Sequence, residues 1–186
     1  HTHDARDTPA IRRRMRLSRL LSRTDREVVV LCSRWWRGDP PTCEHEGIAY
    51  RAVDGEGSSP HFIAKLPLAL RRAEPDVVHI PNTPARYARA VKPVCRLLRI
   101  PMVVDWWEVG DNDDEGDCRS VAGNADRIVV ASQKIKTAVR EYGASESAIS
   151  VIPEGLDFSL IEAAPVNTEF DLVYSRQLDE HANAET

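Results

Sequence analysis

Short runs of β-branched and aliphatic residues alternate with amphipathic stretches along most of this chain, and that rhythm limits the fold more than any other feature. Glu27 to Ser33, Gly47 to Val53, Pro75 to Ile80, Pro101 to Trp106, Arg127 to Ala131 and Ile149 to Ile152 read as strands. Several of these runs are continuously apolar, as strands covered on both faces are. Helical patterns separate them over Pro60 to Arg72, Thr83 to Arg99 and Ser132 to Tyr142. The second of these contains Pro93, where a disturbance is expected. The third has Ser132 placed to cap it and Gly143 to end it. Strands and helices at such spacing imply βαβ units, so the expected class is α/β with a doubly wound parallel sheet.

A further helix is expected from Ala10 to Arg23, with Thr8 as N-cap and Pro9 in the first turn. Arg12, Arg16, Arg19 and Arg23 fall on one face, and Ala10, Leu17, Leu20 and Leu21 on the opposite, sheet-facing side. A polar loop is expected between the first two strands. After Phe158 to Ala164, a polar hinge at Pro165 to Glu169 and an isolated strand at Phe170 to Ser175 are expected. Residues 1–164 are therefore read as one domain lacking its first strand, and residues 165–186 as the hinge and opening strand of a truncated second domain.

The chain of 186 residues has room for one sizeable core. Its 42% hydrophobic and 29% charged residues are those of a soluble globular protein. No apolar run approaches membrane-spanning length, and the N-terminus lacks a signal-peptide core, so a cytoplasmic location is expected. The net charge of -4 is mild, and no nucleic-acid partner is expected. Cys32, Cys43, Cys95 and Cys118 show neither C-x-x-C pairing nor matching His spacing, which argues against zinc or a disulfide framework.

The most informative stretch runs Ala125-Asp126-Arg127-Ile128-Val129-Val130-Ala131-Ser132, Tyr142-Gly143, then Ile149-Ser150-Val151-Ile152-Pro153-Glu154-Gly155-Leu156-Asp157. It resembles the retaining family-4 glycosyltransferases of the GT-B fold, in which A-D-x-I-x-x-x-S, a helix, G and I-x-V-I-P-x-G-x-D mark the last strands of a Rossmann-like N-terminal domain. Pro75-Asp76-Val77-Val78-His79 is similar to the D-V-V-H strand of that family, with Pro81 where a second His often stands. Leu98 to Val104 is similar to its next strand. After it the family often carries a His near the reaction centre, and this chain reads Asp105-Trp106-Trp107-Glu108.

The resemblance implies transfer of a sugar from a nucleotide-sugar donor to a hydroxyl on a saccharide or lipid-linked acceptor, with retention and without a bound cofactor or chemistry-bearing metal. Asp105 and Glu108 become the catalytic candidates. His79, Asn82, Trp106, Trp107, Glu154 and Gly155 are expected to line the acceptor site, since aromatic rings stack on sugars while carboxylates accept bonds from hydroxyls. Trp35 and Trp36 follow another strand and are expected at the same cleft. Leu172 to His181 resembles the opening of the donor domain, where Arg176 would hold the donor phosphate. Ser175 replaces that motif's Gly, and His181 or Ala182 falls near its Lys. The fragment itself is expected to be inactive.

Other readings stay open. A flavodoxin-like binding module shares the alternation, and a GT-B sugar-nucleotide epimerase shares the implied fold. A receiver would need an acidic cluster at its first strand end, which is not found. Asp54-Gly55-Glu56-Gly57 lacks the third Gly of a nucleotide loop. The acidic run from Glu108 to Asp117 lacks EF-hand spacing and is expected to be a solvated loop. The arginine face of the first helix suggests peripheral contact with an inner membrane face, against the commoner solvated face.

Overall fold

A computed structural model describes residues 9–54, 59–109, 114–153, 155 and 162, with the side chains of residues 9–12 and 59 left out. The chain divides into two compact units, residues 1–154 and 155–186. Only Gly155 and Glu162 of the second are described, so the hinge and strand expected from Pro165 onward lie outside the described residues.

The first unit runs α1 (Pro9–Ser22), β1 (Val29–Ser33), β2 (Thr42–His45), β3 (Ile48–Asp54), α2 (Ser59–Ala73), β4 (Val78–Pro81), α3 (Arg86–Leu98), β5 (Met102–Trp106), α4 (Glu115–Asn124), β6 (Arg127–Val130), α5 (Gln133–Glu141), a 3-10 turn and β7 (Ile149–Val151). The strands form two sheets, one in the order β1-β3-β2 and one in the order β4-β5-β6-β7. The larger sheet is parallel throughout, as the βαβ spacing predicts.

Register and alternation sort its side chains. Val104 lies opposite Ile80 and Ile128, and Trp106 opposite Val130, so these residues share one face. That face is the dry core. It is closed by Leu66 and Leu70 of α2, Val91 and Cys95 of α3, Val121 of α4 and Val139 of α5. His79, Val103 and Asp105 point to the opposite face, where Arg13 of α1 meets Asp105. Helices thus serve both faces of the sheet, and the doubly wound class holds.

Four local expectations need correction. Thr42–His45 is a strand, not loop: it pairs antiparallel with β3 through a two-residue turn in which Glu46 and Gly47 both take positive φ, 52° and 74°. The acidic run is partly helical, because the Asp114 carboxylate accepts the Asp117 N–H and caps α4, with Glu115 and Asp117 in the first turn. α3 continues through Pro93 as one helix. Finally, Leu20 and Leu21 are half exposed, whereas Arg13 is the buried one among the described side chains of α1. Ser132 caps α5 as expected, accepting from the Ile135 N–H. Among the described residues no helix is long and apolar enough to cross a membrane.

Candidate functional site at the carboxyl edge of the parallel sheet

In an open α/β sheet, ligands bind where the strands end. Here β4 ends at Pro81-Asn82 and β5 at Trp106-Trp107, and the two are stitched by the Asn82 N–H donating to the Asp105 carbonyl at 3.1 Å. Asp105 is 2% exposed. Its Oδ1 accepts from Nε of Arg13 at 3.3 Å, and Arg13 is itself only 3% exposed. A second nitrogen of the same guanidinium, Nη2, donates to the Ile152 carbonyl at 3.2 Å, immediately before Pro153. The group also lies 5.1 Å from the centroid of the Trp107 ring, within cation-π range. One arginine from α1 therefore ties together the ends of β5 and β7 and one side of an indole.

The expected site residues separate by environment. Trp107 is half-buried and Glu108 exposed, so both are available to a ligand. Trp106 is fully buried in the core and stacks on Tyr142 at 5.8 Å, and its indole N–H has no partner among the described residues. The alternation of the strand explains the contrast: Trp106 continues the face of Val104, and the chain leaves the strand at Trp107. His79 is exposed at its surface. Crowding by surrounding protein lowers its imidazole pKa, Asp105 opposes that shift, and Arg13 and Arg14 reinforce it. Neutral imidazole can both donate and accept a hydrogen bond.

Gly155 is exposed, while Glu154 and Arg176 lie outside the described residues. Trp35 leans back over the small sheet, meeting Tyr50 at 5.5 Å, His45 at 5.7 Å and Trp36 at 5.8 Å. Its ring contacts are thus with β3, β2 and the neighbouring Trp36, all within the smaller sheet and its loop. In the expected arginine face of α1, Arg19 is ion-paired with Glu46, and the side chain of Arg12 is not described. No group of His, Cys, Asp and Glu suited to a metal occurs among the described residues.

Sequence reasoning missed two features. Arg13 is indistinguishable by pattern from the other arginines of its helix. Asp54 ends β3 with both carboxylate oxygens buried and unpartnered among the described residues. Burial, reinforced by the charge of Asp54, pushes the Cys32 thiol up to about 11.

The sequence profile of Glycosyltransferase Family 4 matches residues 12–160, most of the chain. The chain belongs to that family. Among solved structures it is similar to sucrose-phosphate synthase from Thermosynechococcus elongatus, at 13% identity and a TM-score of 0.60, over 82% of this chain and 87% of that one. At that identity the likeness concerns the fold, which is the Rossmann-like N-terminal half of a GT-B enzyme. Crystal structures of Anabaena HepE in complex with UDP and glucose and with UDP-glucose also match, at 16% and 17% identity and TM-scores of 0.49. They cover 62% of this family-4 chain, which spans 33% of HepE. No curated protein matches the chain.

Proposed function

We propose that this family-4 chain is the acceptor-side half of a retaining glycosyltransferase, which moves a hexose or related sugar from a nucleotide sugar to a hydroxyl acceptor. The family match over residues 12–160 carries the reading. The carboxyl-edge geometry supports it: a half-buried indole is braced on one side by Arg13, and we assign its solvent-accessible part to stacking on a sugar ring. Glu108, next in sequence, supplies a hydrogen-bonding carboxylate, and neutral His79 a second such group on the sheet face that Asp105 shares. Asp105, closed to solvent and tied to Arg13, acts as a positioning residue for Trp107 and does not itself reach the acceptor.

The reading requires a second domain to bind the donor, of which residues 165–186 are the start and Arg176 the first phosphate contact. Fixed positive charge there would stabilise the departing nucleoside diphosphate. The 186-residue chain alone then turns over no nucleotide sugar. We read the enzyme as cytoplasmic, acting on a saccharide or lipid-linked acceptor.

The test uses the longer chain with a panel of UDP- and GDP-hexoses and glycoside acceptors, following nucleoside diphosphate release and the anomeric configuration of the product by NMR. Retention is expected. Trp107→Ala should raise the acceptor KM about tenfold or more, with little change in donor KM, because it removes an acceptor contact and nothing from the donor site. Failure of every donor, an inverted product, or a Trp107→Ala effect confined to the donor would each overturn the reading.

A further inference from the structure

The parallel sheet has a second edge, where its strands begin, and no function has been attached to it. Between the end of α3 and the starts of β5 and β6 lies a surface pocket of about 460 Å³. Its walls carry four cations, Lys92, Arg96, Arg99 and Arg127, against a single carboxylate, Asp126. That carboxylate is already engaged on both oxygens. Oδ1 accepts from Nζ of Lys92 at 2.8 Å, and Oδ2 from the Met102 N–H at 2.8 Å. Arg127 is held at the rim by donating Nη1 to the Asp126 carbonyl at 2.9 Å. No salt bridge satisfies Arg96, Arg99 or Arg127 among the described residues.

Three guanidiniums, none of them in a salt bridge among the described residues and only Arg96 acting on Asp126 at longer range, therefore face one concavity, in a chain whose net charge is -4. The carboxyl end of α3 contributes roughly half a negative charge by its dipole, too little to balance them. The backbone adds an independent sign. Arg99 follows the last turn of α3 in the left-handed region, φ 58° and ψ 37°, a place where glycine is the usual occupant. An arginine there is held in a disfavoured conformation at the mouth of the pocket.

We propose that this pocket binds a phosphate-type anion, a phosphomonoester or diphosphate, through the guanidiniums of Arg96, Arg99 and Arg127. Planar forks of N–H donors suit phosphate oxygens, and the Lys92–Asp126 pair, with its ammonium buried and its carboxylate half-exposed, gives the pocket a fixed base. Ile100 and Pro101 line it as well and offer an apolar surface to the body of such a ligand. The five residues of β5, at about 3.3 Å each, separate this site by roughly 13–17 Å from the edge where Trp107 stands. It is thus distinct from the acceptor site, and its occupancy does not depend on the proposed reaction.

Pyrophosphate titrated calorimetrically into the purified protein at low salt should bind saturably at one site in the unit. Arg99→Gly and Arg127→Gln should each weaken it about tenfold or more, as loss of a charged hydrogen bond does. Arg99→Gly also separates binding from folding. Glycine relieves the left-handed backbone, so the melting temperature should hold or rise while affinity falls. Phosphatidic acid vesicles provide the second arm: vesicle binding lost in the same variants, without pyrophosphate binding, assigns the same phosphomonoester chemistry to a lipid headgroup. Absence of binding to either probe, or binding indifferent to both substitutions, overturns the proposal.

Discussion

The two edges of the parallel sheet are each fastened by one long-range ion pair, and the pairs differ in the property that decides their energetics. At the carboxyl edge Arg13 and Asp105 are 3% and 2% exposed, with nitrogen and oxygen 3.3 Å apart. At the amino edge Lys92 and Asp126 meet at 2.8 Å, but the Asp126 side chain is 44% exposed. The shorter contact is the wetter one. Burial, more than distance, sets what a broken pair costs, because the abandoned charge in a dry site cannot recover its hydration. The same physics makes the dry pair a poor device for stability alone, since apolar side chains of similar volume would serve as well. Its placement against Trp107 and the end of β7 gives it a positioning role that the amino-edge pair lacks.

The largest expected effect follows from that difference. Arg13→Met leaves Asp105 charged and buried, and should cost about 3–5 kcal/mol in urea unfolding. The double variant Arg13→Met/Asp105→Leu should recover most of the loss, because no orphaned charge remains. A single-variant cost below about 1 kcal/mol would mean that water reaches the pair, and the comparison would fail.

Asp126→Asn should cost less, about 1–2 kcal/mol, since solvent screens a half-exposed carboxylate. The pH dependence sharpens the point. Burial pushes the Asp126 carboxyl up, but the Lys92 ammonium, the Met102 N–H and the charge of Arg96 together hold it below its ordinary value. A folded pKa below the unfolded one gives stability that is present above the unfolded value, near 3.8, and lost as pH falls through the folded one. The gap between wild type and Asp126→Asn should therefore be full at neutral pH and close on acidification below about pH 4. A gap that stayed constant would assign the effect to packing.

Much of this arrangement was legible in the residues, for identifiable reasons. β4 to β7 announce themselves as apolar runs bounded by Pro, Gly or Asp, and Ser132 stands where a cap is needed. β2 hides because Thr42-Cys43-Glu44-His45 is polar and gains its structure only from pairing with β3. α4 hides because Glu115 to Asn124 has little apolar periodicity, although Asp114 with Asp117 carries its capping signal. In the candidate site, Trp106 and Trp107 look alike as letters. Counting alternation from Val104 places the first in the core, and the second lies beyond the strand. Arg13 could not be singled out, because the helix pattern favours burying Leu20 and Leu21, and the tertiary partner that reverses this, Asp105, is 92 residues away.

The smallest expected effect belongs to a third pair, which carries the comparison to its solvated limit. Glu115 and Arg119 lie one turn apart on α4 at 2.7 Å, with side chains 63% and 59% exposed. Their contact is shorter than either long-range pair, so a view based on distance would rank it first. A view based on desolvation ranks it last, since both groups keep most of their water when the pair opens. Arg119→Gln, which preserves helix propensity, should change the unfolding free energy by about 0.5 kcal/mol or less, and 0.5 M salt should erase the difference. A cost matching that of Asp126→Asn would show that solvent exposure does not order these pairs, and the contrast between the two edges would then need another cause.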